Sequence, residues 1–382
     1  MTVVPGQVEI PRITGNGSPA AVDVTGGTSP VAAKTMKALV YHGPGKRAWE
    51  DKPRPTLENA TDAVVKISRT TICGTDLHIL KGDVPSVANG RILGHEGVGV
   101  IEQVGTAVSG FKAGDHVVIS CISSCGKCEP CRNGMYSHCA AGGGWILGNL
   151  IDGTQAEYVR IPFADTSLYH VPAGADEDVL VMLSDILPTG FECGVLKGQV
   201  KPGDTVAIIG AGPVGLAVLL AAQFYSPAEI IMVDIDDHRL EVAMQLGATR
   251  TVNSKDGKAS EAVRALTGGR GVDVAIEAVG IPSTFEMCQD IVTAGGFIAN
   301  VGVHGVGVAL KLEKLWAHNI TITTRLVDTV TIPMLLKSVV AGRLQPRPLI
   351  THEFTLGDMM KAYDAFGDAA QGKVLKVIVR AG

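Results

Sequence analysis

The segment GAGPVG at residues 210–215 decides how the second half of the chain should fold. It fits the pattern G-x-G-x-x-G, and it stands between an apolar run at 205–209 and an Ala- and Leu-rich stretch at 214–225. The run predicts a strand and the stretch predicts a helix, so the glycines fall in the turn of a βαβ unit. In that context the pattern indicates a dinucleotide-binding turn.

Each glycine has a separate task in such a turn. Gly210 permits the tight turn, Gly212 lets the backbone approach a pyrophosphate, and Gly215 lets the helix pack against the strand. The next predicted strand, 230–234, ends in Asp234, whose carboxylate is placed to accept hydrogen bonds from an adenine ribose diol. Because a 2′-phosphate would meet that negative charge, the sequence favours NAD over NADP. A structural glycine turn beside a surface aspartate is the alternative.

Outward from this turn, apolar runs alternate with helical stretches from about residue 190 onward. The predicted strands are 205–209, 230–234, 250–252, 273–277, 297–301 and 320–324. This alternation is typical of a doubly wound parallel sheet. Before residue 190, short β-branched runs punctuated by Gly, Pro and Asp predict a β-rich domain, and a last strand is predicted at 374–379. The strands of the β-rich domain are expected at 63–68, 97–104, 116–120 and 156–161.

The composition is that of a globular protein long enough for two domains. The 382 residues are 46% hydrophobic and 19% charged, which is too apolar for a disordered chain. The formal net charge of -5 gives no electrostatic reason to expect nucleic acid or an anionic membrane as a partner. No apolar run is long enough to predict a transmembrane helix. Residues 1–35 show neither signal-peptide nor transit-peptide features, so we interpret them as a flexible leader and expect a cytoplasmic protein.

Four of the eight cysteines crowd into one short stretch with the spacing C-x2-C-x2-C-x7-C. Four thiolates so close together can surround one zinc ion and leave no open position, which is typical of a structural site. The predicted ligands of this structural zinc are Cys125, Cys128, Cys131 and Cys139. Two disulfides are the alternative, and they would need an oxidising compartment. A ferredoxin-type cluster is disfavoured by the last spacing, and Cys121, Cys193 and Cys288 are interpreted as thiols without a metal.

A second set of metal-binding side chains is spread over three separate places in the sequence. The segment GHEGVG places His95 and Glu96 side by side in a Gly-rich turn. It is not an H-E-x-x-H motif, so the chemistry of helical zinc proteases is excluded. Cys73 and His78 precede this turn, and Asp185 follows it far along the chain. Taken singly, Cys73 could be a core thiol, His78 a surface imidazole and Asp185 a helix N-cap.

Taken together, these motifs resemble the zinc-dependent alcohol dehydrogenases of the medium-chain dehydrogenase/reductase family. The motif C-G-T-D-x-H is followed by G-H-E-x-x-G, the four-cysteine loop and G-x-G-x-x-G, and the resemblance covers essentially all of 36–382. It implies an α/β fold in which a GroES-like β-rich catalytic domain, 36–188 and 326–382, encloses a Rossmann domain, 189–325. It also implies reversible oxidation of a primary or secondary alcohol by NAD, with two zinc ions per chain.

The resemblance also assigns roles to the site residues. Cys73, His95 and Asp185 match the ligands of a catalytic zinc, which would keep one position open at which an alcohol becomes more acidic. Glu96 matches a conditional fourth ligand or a carboxylate behind the ligands, and Thr75 and His78 match a proton relay. The remaining matches are Thr189 beside the nicotinamide, Arg239 over the adenine end, backbone around Val303 and Arg325 at the carboxamide, and Trp145 in the substrate pocket.

One departure from the family pattern leaves the substrate open. Many relatives carry cysteine where this chain has Asp185, whereas aspartate is the choice in certain bacterial secondary-alcohol and formaldehyde dehydrogenases. A formaldehyde or polyol dehydrogenase on the same scaffold is therefore the alternative enzyme, and a non-catalytic NAD-binding relative is the alternative outside catalysis. The expected partners are a small alcohol, aldehyde or ketone and, by resemblance, further copies of the chain in a homotetramer.

Overall fold

The structure is a computed structural model, and it describes residues 34–381. The predicted flexible leader, 1–35, lies outside the described residues except for its last two positions. From Thr35 onward the chain forms one compact unit.

Sixteen strands and thirteen α-helices are formed within the described residues. The strands of the first half are β1 Thr35–Tyr41, β2 Arg47–Pro53, β3 Ala63–Thr71, β4 Arg91–Ile92, β5 Gly97–Val104, β6 His116–Ile119, β7 Tyr158–Ile161 and β8 Leu168–His170. Those of the second half are β9 Thr205–Ile209, β10 Glu229–Asp234, β11 Arg250–Asn253, β12 Val272–Glu277, β13 Val292–Asn300, β14 Thr321–Thr324, β15 Ile350–Thr355 and β16 Lys376–Arg380.

The helices are mostly short outside the nucleotide-binding half. They are α1 Gly74–Lys81, α2 Glu129–Arg132, α3 Ala164–Ser167, α4 Glu177–Leu180, α5 Ile186–Thr189, α6 Pro213–Ala222, α7 Asp237–Gln245, α8 Ala259–Leu266, α9 Pro282–Ile291, α10 Leu312–Leu315, α11 Ile332–Val340, α12 Met359–Gly367 and α13 Ala369–Gly372. A π-helix, Gly190–Leu196, continues directly from α5. The 3-10 helices are Tyr136–His138, Val181–Leu183, Gln223–Tyr225, Arg347–Leu349 and Leu356–Asp358.

The nucleotide-binding sheet has six parallel strands in the order β11-β10-β9-β12-β13-β14. The chain starts at the centre, in β9, and builds outward on both sides, which is the doubly wound Rossmann order. The predicted parallel sheet is thereby confirmed.

The β-rich part draws its strands from both ends of the chain. A seven-stranded sheet runs β15-β16-β3-β5-β6-β8 with β7 also paired to β3, and a smaller sheet runs β2-β1-β4. The C-terminal strand β16 lies antiparallel to β3, so the last residues of the chain return to the first domain. This arrangement is the expected combination of a GroES-like β domain and a Rossmann domain.

The largest core joins the two parts. The helix α6 is apolar on every side and almost fully buried, and its side chains share one cluster with Val98 of β5 and Ile208 of β9. The π-helix contacts α6 through Gly190. A Cβ on this residue would lie 2.8 Å from the backbone nitrogen of Val218. The segment that begins with α5 is therefore held against α6 at backbone contact.

Among residues 34–381, no single helix has the length and apolar character of a membrane span. One bent helix pair, Glu177–Leu183 with Ile186–Leu196, passes such a test by length and composition only. Most of its apolar side chains lie in the core that contains α6, whereas Leu196 is exposed.

Candidate active site

The glycine-rich turn opens one end of a cleft of about 940 Å³. Gly210 has a φ of +105°, and a Cβ on Gly215 would lie 1.8 Å from the carbonyl oxygen of Gly210, so both positions require glycine. Gly212 is the N-cap residue of α6, and a Cβ there would meet only the Nη1 of Arg239 at 3.9 Å. The N-terminus of α6 thus faces open space, as a pyrophosphate site requires.

Asp234 lies where the sequence places it, at the end of β10 and on the wall of the cleft. Its Oδ2 accepts a hydrogen bond of 2.6 Å from the backbone nitrogen of Ala211, and its Oδ1 accepts one of 2.9 Å from Asp236. These two bonds fix the carboxylate beside the turn. Arg239 also lines the cleft, close to Gly212.

Cys73, His95 and Asp185 lie together, and Cys73 and Asp185 line the same cleft. The thiol, imidazole and carboxylate ligand atoms all lie within 4.8 Å of one another. The Sγ of Cys73 is 3.6 Å and the Nε2 of His95 is 3.2 Å from the Oδ2 of Asp185. Zinc bonds of about 2.0–2.3 Å in tetrahedral geometry give separations of roughly 3.5 Å between ligand atoms. The donor set and the spacing therefore fit one zinc ion with a position left open.

Local structure orients two of these three side chains, Cys73 and Asp185. Cys73 is the N-cap residue of α1, and its backbone nitrogen donates to the buried carboxylate of Asp76. Asp185 stands at the N-cap position of α5, yet its side chain makes no capping bond. The Thr189 hydroxyl instead donates to its Oδ1 at 2.6 Å. The N-cap explanation of Asp185 is thus wrong for the side chain, which faces Cys73 and His95.

The three groups also shift one another's pKa values. Burial raises the pKa of the Cys73 thiol. Burial opposes the charged form of His95, but hydrogen bonds to Asp185 and Cys73 outweigh it and raise the pKa of His95 well above its ordinary value. Burial would raise the pKa of Asp185, but the hydrogen bond from His95 lowers it below the ordinary range. Strongly perturbed groups in a cleft are typical of a functional site.

Glu96 lies behind the three ligands in a buried ion pair. Its Oε2 is 2.5 Å from the Nζ of Lys376 and also accepts the hydroxyl of Thr71. Its Oε1 is buried without a hydrogen-bond partner in the part of the chain that the structure describes. Burial opposes the charge on Lys376, but the attraction of Glu96 and its neighbours raises the pKa of this lysine. One carboxylate oxygen is therefore engaged and the other remains unpaired beside the site.

Thr75 and His78 lie on α1 and line the cleft. The hydroxyl of Thr75 is 3.8 Å from the Sγ of Cys73. The half-buried His78 places its Nδ1 2.8 Å from Asp83, which leaves Nε2 available for proton exchange.

The four clustered cysteines converge on one point around α2. Their sulfur atoms lie within 4.8 Å of one another. Backbone nitrogens donate to three of these sulfurs at 3.3–3.4 Å: Lys127 and Cys128 to Cys125, Ala140 to Cys128, and Cys125 to Cys139. Hydrogen bonding, mainly from the backbone of Cys131, lowers the pKa of Cys128 to about 6. Burial, in contrast, raises the pKa of Cys131 to about 12. The convergence of the four sulfurs fits a closed four-sulfur zinc site.

The remaining predicted residues lie around the cleft. Thr189, Val303 and Arg325 line it, and Arg325 donates to the buried carboxylate of Asp328. Trp145 is not among the residues that line this cleft in the described chain. Its ring instead meets His95 edge-on, with the two ring centroids 6.2 Å apart.

Sequence reasoning missed several groups that shape the site. Lys376 was not predicted, and its sole signal is a lysine between apolar neighbours in a predicted strand. Glu192 was also missed: its buried carboxylate accepts four hydrogen bonds from residues 328–331. Cys193, interpreted as a packing residue, is buried and also lines the cleft. Cys121 is a buried thiol whose Sγ is 3.8 Å from the Oδ1 of Asp185.

Two family models match the chain. An alcohol dehydrogenase GroES-like domain matches residues 59–173, and a zinc-binding dehydrogenase domain matches residues 213–339. The chain is 37% identical over 364 residues to an alcohol dehydrogenase of Cupriavidus necator, with 90% of this chain and 98% of that protein covered.

Solved structures are similar over the same part of the chain. A zinc dependent alcohol dehydrogenase 2 from Streptococcus pneumonia, in its apo form, has a TM-score of 0.87 and 55% identity, covering 91% of this chain and 98% of that one. A putative zinc-binding dehydrogenase from Sinorhizobium meliloti 1021 bound to NADP has a TM-score of 0.81 and 26% identity, with 91% and 99% covered.

Proposed function

The chain belongs to the zinc-dependent alcohol dehydrogenases of the medium-chain dehydrogenase/reductase family, and on that premise we propose that it transfers hydride reversibly between an alcohol and NAD. It is an oxidoreductase with alcohol dehydrogenase activity. We propose that it takes primary or secondary alcohols and gives aldehydes or ketones. The convergence of Cys73, His95 and Asp185 beside the proposed cofactor cleft, which Cys73 and Asp185 line, carries this proposal.

In the proposed metal site, side chains of the chain hold and orient the ion, and the ion supplies the Lewis acid. Cys73, His95 and Asp185 would hold the catalytic zinc, which when bound supplies Lewis-acid polarisation of the alcohol or carbonyl oxygen. The chain orients these ligands through the hydroxyl of Thr189 and the backbone of α1. The unpaired Oε1 of Glu96 supports its role as a conditional fourth ligand.

Protons leave the reacting hydroxyl through side chains of this chain. Thr75 lies beside Cys73, and His78 lies on the same helix, half-exposed. We propose that the hydroxyl of Thr75 passes the proton outward and that Nε2 of His78 releases it to solvent. The bond between Nδ1 of His78 and Asp83 holds the ring in the orientation that this route needs.

The cofactor is proposed to be NAD. The carboxylate of Asp234 is fixed at the wall of the cleft, where a ribose diol can donate to it and a 2′-phosphate would be repelled. Arg239 is proposed to cover the adenine end. Thr189 and the backbone of Val303 and Arg325 line the part of the cleft proposed for the nicotinamide, and Trp145 is proposed to shape the substrate pocket through its contact with His95.

A second, structural zinc is proposed at the four-cysteine cluster. Free thiols as ligands favour a reducing compartment such as the cytoplasm. Assembly into a homotetramer is proposed from the family, and exposed apolar side chains near the edge strand β14 support association. These side chains are Val306, Leu310, Leu312 and Trp316.

The ligand role of Asp185 is tested by measuring the zinc content and the rate of NADH formation of the variant Asp185→Asn. We expect zinc to fall from about two ions to about one ion per chain and turnover to fall by more than about a hundredfold, with an unchanged circular dichroism spectrum. The exposed carboxylate variant Asp364→Asn is the control and should keep both ions. Two retained ions with most of the activity would refute the ligand role of Asp185.

Cofactor and substrate need separate assays. The ratio of kcat/KM for NAD to that for NADP should favour NAD, and a preference for NADP would overturn the role of Asp234. A panel of primary, secondary and aromatic alcohols, polyols and formaldehyde then identifies the substrate class.

A further inference from the structure

Two loops of the Rossmann domain meet along the cofactor cleft, and a buried pair of side chains lies between them. The first loop, 278–281, follows β12, and the second, 301–304, follows the neighbouring parallel strand β13. Both loops contribute to the wall of the cleft. The contributing residues are Ala278, Val279, Ile281, Val301, Gly302 and Val303.

Glu277 organises the first loop with one carboxylate oxygen. The side chain is fully buried, and its Oε1 accepts bonds of 2.9 Å and 2.8 Å from the backbone nitrogens of Val279 and Gly280. The hydroxyl of Thr284 donates to the same oxygen at 2.7 Å. The other oxygen, Oε2, is buried and has no hydrogen-bond partner among residues 34–381. A buried carboxylate oxygen without a donor is costly, so a donor is expected to face it.

His304 faces that oxygen from the second loop. Its Nε2 lies 3.4 Å from Oε2 of Glu277 and 2.8 Å from Oδ1 of Asn300. The amide of Asn300 donates its own Nδ2 to the carbonyl of Gly302, so Oδ1 must be an acceptor. The Nε2 of His304 therefore carries a hydrogen, and that hydrogen serves Asn300 and faces the unpaired oxygen of Glu277.

The space between the loops is filled. A Cβ on Gly302 would lie 2.4 Å from Oε2 of Glu277 and 2.3 Å from the backbone nitrogen of Gly280. The ring of His304 also stands edge-on to Phe285 of α9, with centroids 6.1 Å apart. The two loops consequently have no room to shift past each other. The backbone nitrogens of Val301 and Gly302 donate to the carbonyl oxygen of Glu277, and His304 adds a side-chain contact with the Glu277 carboxylate.

We propose that His304 is a positioning residue for the cofactor: with Glu277 it fastens the loop 301–304 to the loop 278–281 and so sets the backbone at Val303 against the nicotinamide end. The inference rests on the proposed binding of NAD in this cleft. His304 does not line the cleft itself, so it acts through the backbone that it holds. Its loss should weaken cofactor binding and leave the metal ligands in place.

The experiment measures NADH binding by fluorescence, with thermal unfolding and zinc content on the same samples. We expect His304→Ala to raise the Kd for NADH about five- to tenfold, the range expected for the loss of one ordinary hydrogen bond such as that from Nε2 to Asn300. The variant His304→Gln, whose amide nitrogen can occupy the place of Nε2, should recover most of the affinity. His318→Ala, which truncates an exposed histidine between α10 and β14, is the matched control.

A second variant keeps the proposal testable if His304→Ala does not fold. Glu277→Gln keeps an acceptor for the first loop but turns an amide toward the hydrogen of His304, so it should weaken NADH binding by a similar factor. An unchanged Kd in folded His304→Ala, even with a lower Tm, would overturn the inference, as would equal weakness of the Ala and Gln variants. Failure of the unaltered protein to bind NADH would instead refute the proposed cofactor.

Discussion

Removal of the Glu192 carboxylate should destabilise the protein strongly, although this residue touches neither metal nor substrate in the proposed mechanism. Its Oε2 accepts bonds of 2.8 Å and 3.2 Å from the backbone nitrogens of Asp328 and Thr329. Its Oε1 accepts bonds of 3.0 Å and 2.8 Å from the backbone nitrogen and hydroxyl of Thr331. The segment that it holds follows the last strand of the parallel sheet, and Asp328 also lines the cleft.

The size of the effect follows from the donors that would lose their acceptor. Glu192→Ala leaves three backbone N–H groups and one hydroxyl without a partner, and each unsatisfied buried group costs roughly 1–3 kcal/mol. Relaxation and entry of water reduce the sum, and breaking a buried hydrogen-bonded charge typically costs about 3–5 kcal/mol. At roughly 2 °C per kcal/mol for a chain of this length, Tm should fall by about 6–10 °C.

Differential scanning calorimetry on the full chain checks this value. Glu192→Gln keeps one acceptor oxygen and should lose about half as much. Glu313→Ala, which truncates an exposed glutamate on α10, is the control and should change Tm by less than about 1 °C. A loss below about 2 °C for Glu192→Ala, or equal losses in Glu192→Ala and the control, would refute the reasoning.

Three further predictions concern the cysteine lobe, the relay and acid stability. Cys128→Ser should remove about one zinc ion per chain and lower Tm, and lost turnover at an unchanged Tm would contradict a structural site. His78→Ala should slow alcohol oxidation most at low pH, so an unchanged pH–rate profile would exclude it from the relay. Asp178 is bonded at 2.5 Å by both Arg69 and Arg380, and these bonds outweigh burial and lower its pKa. Its contribution is complete above the unfolded pKa of about 3.9 and is lost as pH falls through the lower folded pKa. Asp178→Asn should therefore lower Tm at neutral pH and much less in acid, and an equal loss at both would contradict this sign.

Local signals were enough to predict the Rossmann half of the fold. The strand β9, the turn at 210–215 and the helix α6 are consecutive in sequence, so periodicity and glycine placement determine them together. The pairing of β16 with β3 joins residues about three hundred positions apart, and no local pattern encodes such a contact. The GroES-like arrangement was therefore available only through resemblance.

The candidate site residues likewise differ in whether a local sequence pattern could predict them. The close spacing of the four clustered cysteines predicts their convergence, whereas Cys73, His95 and Asp185 are brought together by the fold. Lys376 and Glu192 were missed because burial of a charge depends on partners that are distant in sequence, such as Glu96 for Lys376. From a sequence pattern alone, charged residues such as these are predicted to be exposed.

The contact of Gly190 with α6 has a consequence for redesign of this scaffold. Asp185 starts the segment that contains Gly190, and Gly212 starts α6, so the backbone contact at Val218 fixes the distance between a metal ligand and the cofactor turn. Any side chain at Gly190 would push the π-helix away from α6. The proposed metal site would then move away from the proposed cofactor site. A larger or differently shaped substrate pocket should therefore be sought on the β-rich wall of the cleft, where residues can change without altering that distance.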